Sequence, residues 1–180
     1  MSLKSTKITK WVGISGTWAL TTKEVEKDVR KVVRGVIEKG GGIVTGGALN
    51  VDSFATDEAI KMDPKCNHLK IFLPVTLELY SAHYRKRAKE GVITREQAES
   101  LIAQLEYVKN TNPKALIENK TNKVVDNKTY FERNTEVVKA SDELYTFHVK
   151  ESTGGGTTDT AEKARKLGIP VRRFEYSEGK

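Results

Sequence analysis

Apolar positions along this chain fall into two alternating rhythms. Trp11-Val12-Gly13-Ile14, Ile43-Val44-Thr45 and Leu69 to Leu73 are short continuous runs, the pattern of strands buried on both faces. Between the first two, Val25, Val29, Val32, Val33, Val36 and Ile37 recur at helical spacing. Thr21-x-x-Glu24 predicts a capping box ahead of that helix, and Gly40-Gly41-Gly42 predicts its end. A second helix is expected over Asp52 to Met62, with Phe54, Ala55, Ala59 and Ile60 on one side. The rhythm resumes with a helix from Tyr130 to Lys139 and a strand from Glu143 to Val149. A Gly-rich loop, a helix from Thr158 to Leu167 and a strand from Pro170 to Phe174 complete it. Strands that alternate with helices predict an α/β chain: a Rossmann-like, doubly wound, mostly parallel sheet covered on both faces.

The segment 76–128 interrupts this alternation. It reads as a charged helical insertion, with a second capping box at Thr94-x-x-Gln97 and a stripe of Ala98, Leu101, Ile102, Leu105 and Val108. Glu118 to Lys128 is too hydrophilic for a core and is expected to form an excursion or a lid. The whole of 1–180 is read as a single nucleotide-binding domain carrying this insertion, a length that buries a core without disulfide or metal staples.

Composition narrows the classes. No apolar run approaches the length of a membrane span, and the first residues carry lysines without an apolar signal region, so a cytoplasmic protein without a membrane partner is expected. One cysteine, Cys66, and scattered His68, His83 and His148 offer no tetrahedral metal set, and no cofactor is expected. The formal charge of +7 favours anionic partners but is modest for a dedicated nucleic-acid binder. The cluster Arg85-Lys86-Arg87-Lys89, flanked by Tyr80 and Tyr84, has the makings of a single-strand-binding face, and equally of a solvated helix.

Three turns that follow predicted strands have the composition of ligand loops. They are Gly13-Ile14-Ser15-Gly16-Thr17, Thr45-Gly46-Gly47-Ala48, and Ser152-Thr153-Gly154-Gly155-Gly156-Thr157-Thr158. In a doubly wound sheet all three fall on the carboxyl edge, where ligands bind. Glycines let the backbone approach a ligand, and helix N-termini with Ser/Thr hydroxyls donate to phosphate oxygens. A nucleotide or other small phosphate ligand is the expected partner. The three-glycine dinucleotide fingerprint and the P-loop are both missing, which disfavours an ordinary NAD enzyme or ATPase. Arg133 is the candidate for phosphate, because a guanidinium forks onto phosphate oxygens. Asp52 could hold a ribose hydroxyl or stabilise a helix start, and Asn134 could reach a base or phosphate.

These residues resemble a known group. Thr45-Gly46-Gly47-Ala48-Leu49-Asn50-Val51-Asp52-Ser53-Phe54-Ala55 is similar to the Ser-Gly-Gly-Ala-x-Gly-Ile-Asp-x-x-Ala stretch of the DNA-processing family (DprA/Smf). Phe131-Glu132-Arg133-Asn134 with Ser141, and then Ser152 to Ala161, resemble its later segments. The resemblance implies the superfamily that also holds the LOG phosphoribohydrolases ("lysine decarboxylase" family) and nucleotide sensors, with self-association into homo-oligomers. It implies single-stranded DNA as an alternative partner and nucleotide N-glycosidase activity as an alternative function. The chain departs from the family pattern at Thr56, where a histidine is usual, and at Asn50, where a glycine is.

The phosphoribohydrolases carry a Glu/Arg pair that Glu132-Arg133 resembles, and a Gly-Thr-x-x-Glu loop. Alignment on Gly156-Thr157 puts Thr160 at that glutamate, and a hydroxyl cannot act as the ionised carboxylate such cleavage needs. Asp159 lies one position away, at a different helical angle. The expectation is therefore a binding protein, or an enzyme whose carboxylate is Asp52, Glu132 or Glu136.

Overall fold

The computed structural model describes residues 7–152 and 155–178. Six parallel strands, β1 (Trp11–Gly16), β2 (Gly42–Thr45), β3 (Leu69–Phe72), β4 (Leu116–Ile117), β5 (Glu143–Val149) and β6 (Val171–Tyr176), form one sheet in the order β4-β3-β2-β1-β5-β6. The winding reverses between β1 and β5, which pair from Val12–Glu143 to Gly16–Phe147. That reversal opens a crevice at the carboxyl ends of these strands. The doubly wound α/β fold is as the sequence pattern predicts.

Helix α1 (Lys23–Glu38) buries Val25, Val29 and Val33 completely, one stripe at i, i+4, i+8 against the sheet. Its cap is Thr22 and not Thr21: the Thr22 hydroxyl accepts from the Val25 amide at 3.2 Å, so Glu24 falls one position short of closing the expected box. The Thr21 hydroxyl is buried with no partner among the described residues. Helix α2 (Val51–Met62) packs on α1, and Arg30 ties the two by reaching Glu26 (2.8 Å), Asp57 (2.6 Å) and Glu58 (3.1 Å). Arg34 adds a second bond to Glu58 at 2.8 Å.

The 76–128 segment contains α3 (Leu77–Lys89) and α4 (Arg95–Thr111), which starts on the Thr94/Gln97 capping box expected for it. It also supplies β4, and so it extends the sheet besides inserting helices. Two residues, Leu116 and Ile117, are too short a run to signal a strand; pairing with Ile71 and Phe72 makes them one. Tyr80, Leu101 and Leu105 from this segment are buried in the main core. Helix α5 (Asn127–Lys139) packs on α6 (Gly156–Lys166), and Val138, Leu144 and Ala164 form a separate small cluster. No helix among the described residues is long and apolar enough to cross a membrane.

Candidate functional site

A cavity of about 470 Å³ occupies the crevice at the winding reversal, lined from the ends of β1, β2 and β5 and from α3, α5 and α6. Its volume lies within the range of small-ligand sites. Of the residues nominated from the sequence, Ser15, Gly16 and Thr17 line it from the first loop, and Gly46, Ala48 and Asp52 from the second. Arg133 and Asn134 line it from α5, and Ser152, Gly155, Gly156 and Thr157 from the third loop. Gly154 and Thr153 lie outside the described residues.

Other nominated residues stand elsewhere. Gly13 is inside β1, where a Cβ would come within 2.6 Å of the Ser141 Oγ and 2.9 Å of Leu144 Cδ1, so packing accounts for it. Gly47 is left-handed (φ +66) and its carbonyl accepts from the buried Tyr80 hydroxyl at 3.0 Å. Thr158 is on α6 but off the cavity wall. Glu132 accepts from the Asn122 amide at 2.8 Å, and neither it nor the exposed Glu136 lines the cavity.

Asp52 is buried, and one oxygen, Oδ2, accepts from both the Gly46 and Ala48 amides at 3.2 Å. Burial pushes this carboxyl above its ordinary pKa; Arg133 and the two amides oppose the rise without cancelling it. Arg133 donates through Nη1 to the Gly46 carbonyl and through Nε to the Asn134 Oδ1 at 3.1 Å, over the face of Tyr130. The β2–α2 loop is thus cross-braced: a carboxylate holds its amides, a guanidinium its first carbonyl, a tyrosine the next.

Helix α6 opens on Gly155, which has no side chain to cap it, and among the described residues no side chain caps its first-turn amides beside the cavity. Thr160 is buried and donates to the Gly156 carbonyl at 2.8 Å. The neighbouring Asp159 carboxylate accepts from Lys163 (2.7 Å) and Asn134 (3.3 Å). The carboxylates on the cavity wall are Asp52, bonded into its loop, and Asp126, which caps α5 by accepting from the Thr129 amide at 2.9 Å.

Tyr80 and Tyr84 are buried edge-to-face, with centroids 4.9 Å apart, so they offer no exposed stacking platform. Arg85 pairs with Glu99 (2.9 Å) and Arg87 with Glu90 (3.1 Å), giving the basic cluster the character of an ion-paired helix face. His83 is held below the usual histidine pKa by burial, with Arg87 and Lys86 adding to the effect, and its Nε2 stands 3.4 Å from the Tyr130 hydroxyl. Burial pushes the Cys66 thiol up to about 11, with the Asp63 charge adding to the rise. No three His, Cys, Asp or Glu side chains converge as metal ligands among the described residues. Sequence reasoning missed Trp18, Val92, Ile93, Val125 and Phe131 as parts of the cavity wall; the signals available were a tryptophan directly after a Gly-Thr turn and the place of Phe131 in the segment that holds Arg133 and Asn134.

No family model and no curated protein matches the chain. Solved structures do. DNA processing protein A from Helicobacter pylori, a single-stranded-DNA-binding protein, superposes with a TM-score of 0.66 at 21% identity, over 92% of this chain and 65% of that one. This chain has the fold of the part of DNA processing protein A on which it superposes. The Streptococcus pneumoniae protein gives 0.60 at 18% identity, over 91% of this chain and 50% of its own. The molybdenum cofactor carrier protein of Chlamydomonas reinhardtii gives 0.52 at 18% identity, over 92% and 76%. The chain thus spans just under two thirds of the Helicobacter DNA processing protein A and half of the Streptococcus one.

Proposed function

We propose that this protein binds a nucleotide or nucleotide-derived phosphate ligand in the cavity at the winding reversal. The observation that carries the reading is convergence: loops after β1, β2 and β5 line one cavity beside the α6 N-terminus, whose N-cap residue, Gly155, has no side chain to cap it. Amides of Gly156 and Thr157 and the hydroxyls of Ser15 and Thr157 are the phosphate donors, and Arg133 adds positive charge to the wall. Binding is favoured over N-glycoside cleavage, because Thr160 stands at the position of the expected glutamate and the wall's two carboxylates are already bonded within the protein.

Single-stranded DNA is the second reading. The fold shared with DNA processing protein A supports it, as do Trp18 and Phe131, exposed aromatics on the cavity wall. A thermal-shift panel of nucleoside mono-, di- and triphosphates and a short oligodeoxynucleotide separates the two. A nucleotide at a hundred times its Kd should raise Tm by roughly 5–10 °C. Failure of every nucleotide at millimolar concentration to shift Tm would refute the primary reading. A shift with the oligonucleotide alone, vanishing with salt, would replace it by the second.

A further inference from the structure

Of the six large apolar side chains exposed among the described residues, Trp18 (42%), Val92 (45%) and Phe131 (38%) line this cavity, Val124 (62%) immediately precedes its lining residue Val125, and Tyr107 and Leu167 lie elsewhere. None of these exposed residues belongs to either core cluster. Exposed apolar groups gathered at one concave site mark a binding surface. The cavity has two chemically different sides. The glycine loops bring amides and hydroxyls, whereas α3, the α3–α4 turn, the stretch before α5 and α5 itself bring Tyr84, Val92, Ile93, Val125 and Phe131, with Arg87 and Asp126 as charged groups among them.

We infer that this second side is the subsite for the flat heterocyclic part of the ligand, the base of a nucleotide, and that the segment 76–128 thereby sets ligand selectivity. The inference rests on the nucleotide reading above. A phosphate or a sugar phosphate is satisfied by the glycine side and gains nothing from an apolar wall; a base that covers Val92 and Phe131 excludes water from them. His83, whose Nε2 stands 3.4 Å from the Tyr130 hydroxyl, gives that side a hydrogen-bonding ring edge, and Arg87 adds a positive charge beside it.

Calorimetric titration of the full chain with a nucleoside 5′-monophosphate and with ribose 5-phosphate tests the assignment. The wild type should bind the nucleotide at least about tenfold more tightly, the gain expected from burying a planar group. The double variant Val92→Ser/Phe131→Ala, altered at exposed positions, should lose most of that ratio and keep its affinity for ribose 5-phosphate. Val92→Ser alone, with unchanged melting in the absence of ligand, should lose about threefold to fivefold of it. Equal wild-type affinity for both ligands, or an unchanged ratio in a variant that melts normally, would overturn the base subsite and leave phosphate binding standing. Binding of neither ligand by the wild type would overturn the nucleotide reading and this inference with it.

Discussion

Replacing Asp52 by alanine should cost the fold about 3 kcal/mol. The carboxylate accepts two backbone amides at 3.2 Å in a buried loop, and hydrogen bonds to a charged acceptor contribute about 1.5–3 kcal/mol each. The lower end applies, because burial already makes the ionised group expensive, as its raised pKa records. For a chain of 180 residues this corresponds to a fall in Tm of roughly 6–12 °C, readable by calorimetry or urea unfolding at pH 7. Asp52→Asn, which keeps an acceptor and loses the charge, should cost only about 1 kcal/mol. The pH dependence has a definite sign. A carboxyl whose folded pKa is raised contributes stability that is complete below its unfolded pKa and is lost as pH rises through the folded value. Wild-type stability relative to Asp52→Asn should therefore improve as pH falls from neutral toward the ordinary carboxylate range. A loss below about 1 kcal/mol for Asp52→Ala would refute the brace and return Asp52 to the role of a free ligand-binding carboxylate.

Arg30→Ala should show the opposite pH sign: Arg30 and its neighbours depress the pKa values of Asp57 and Glu58, so its contribution is present at neutral pH and fades as acid protonates both. Acid titration of unfolding in wild type and variant should show the gap closing, and a constant gap would contradict the network. Asn50→Gly should stabilise the protein by about 1 kcal/mol in urea unfolding, since Asn50 sits at φ +62, ψ −109, a region glycine occupies without strain; destabilisation would show that its side-chain bond to the Trp18 carbonyl outweighs the strain. Tyr80→Phe should cost about 1–2 kcal/mol by leaving the buried Gly47 carbonyl without its donor, and a neutral effect in the same assay would contradict that bond.

Much of the fold was legible because its strands are continuous apolar runs and its helices carry clean stripes; Val25, Val29 and Val33 point one way at any reading. The edge strand β4 was not, because two residues carry no periodicity and only their pairing with β3 makes them a strand. The glycine loops could be read from composition following strands, yet composition did not separate Gly13 and Gly47, held by packing and backbone bonding, from Gly155 and Gly156 on the cavity wall. Arg133 was identifiable as a residue of the site, but its bonds to Gly46 and Asn134 depend on α5 crossing the β2–α2 loop, which no local pattern encodes. Val92 and Val125 carry no helical or strand periodicity in the sequence; the turn between α3 and α4 brings the first to the cavity and the stretch before α5 the second.

Backbone amide shifts during titration of the isotope-labelled protein with a nucleoside monophosphate test the central claim most directly, because they locate the ligand residue by residue. The account predicts saturable shifts concentrated at Ser15 to Thr17 and Gly155 to Thr157, with a second group at Val92, Ile93 and Val125. Shifts confined to the ion-paired face of α3 around Arg85 and Lys86, or no saturable shifts at millimolar nucleotide, would contradict it.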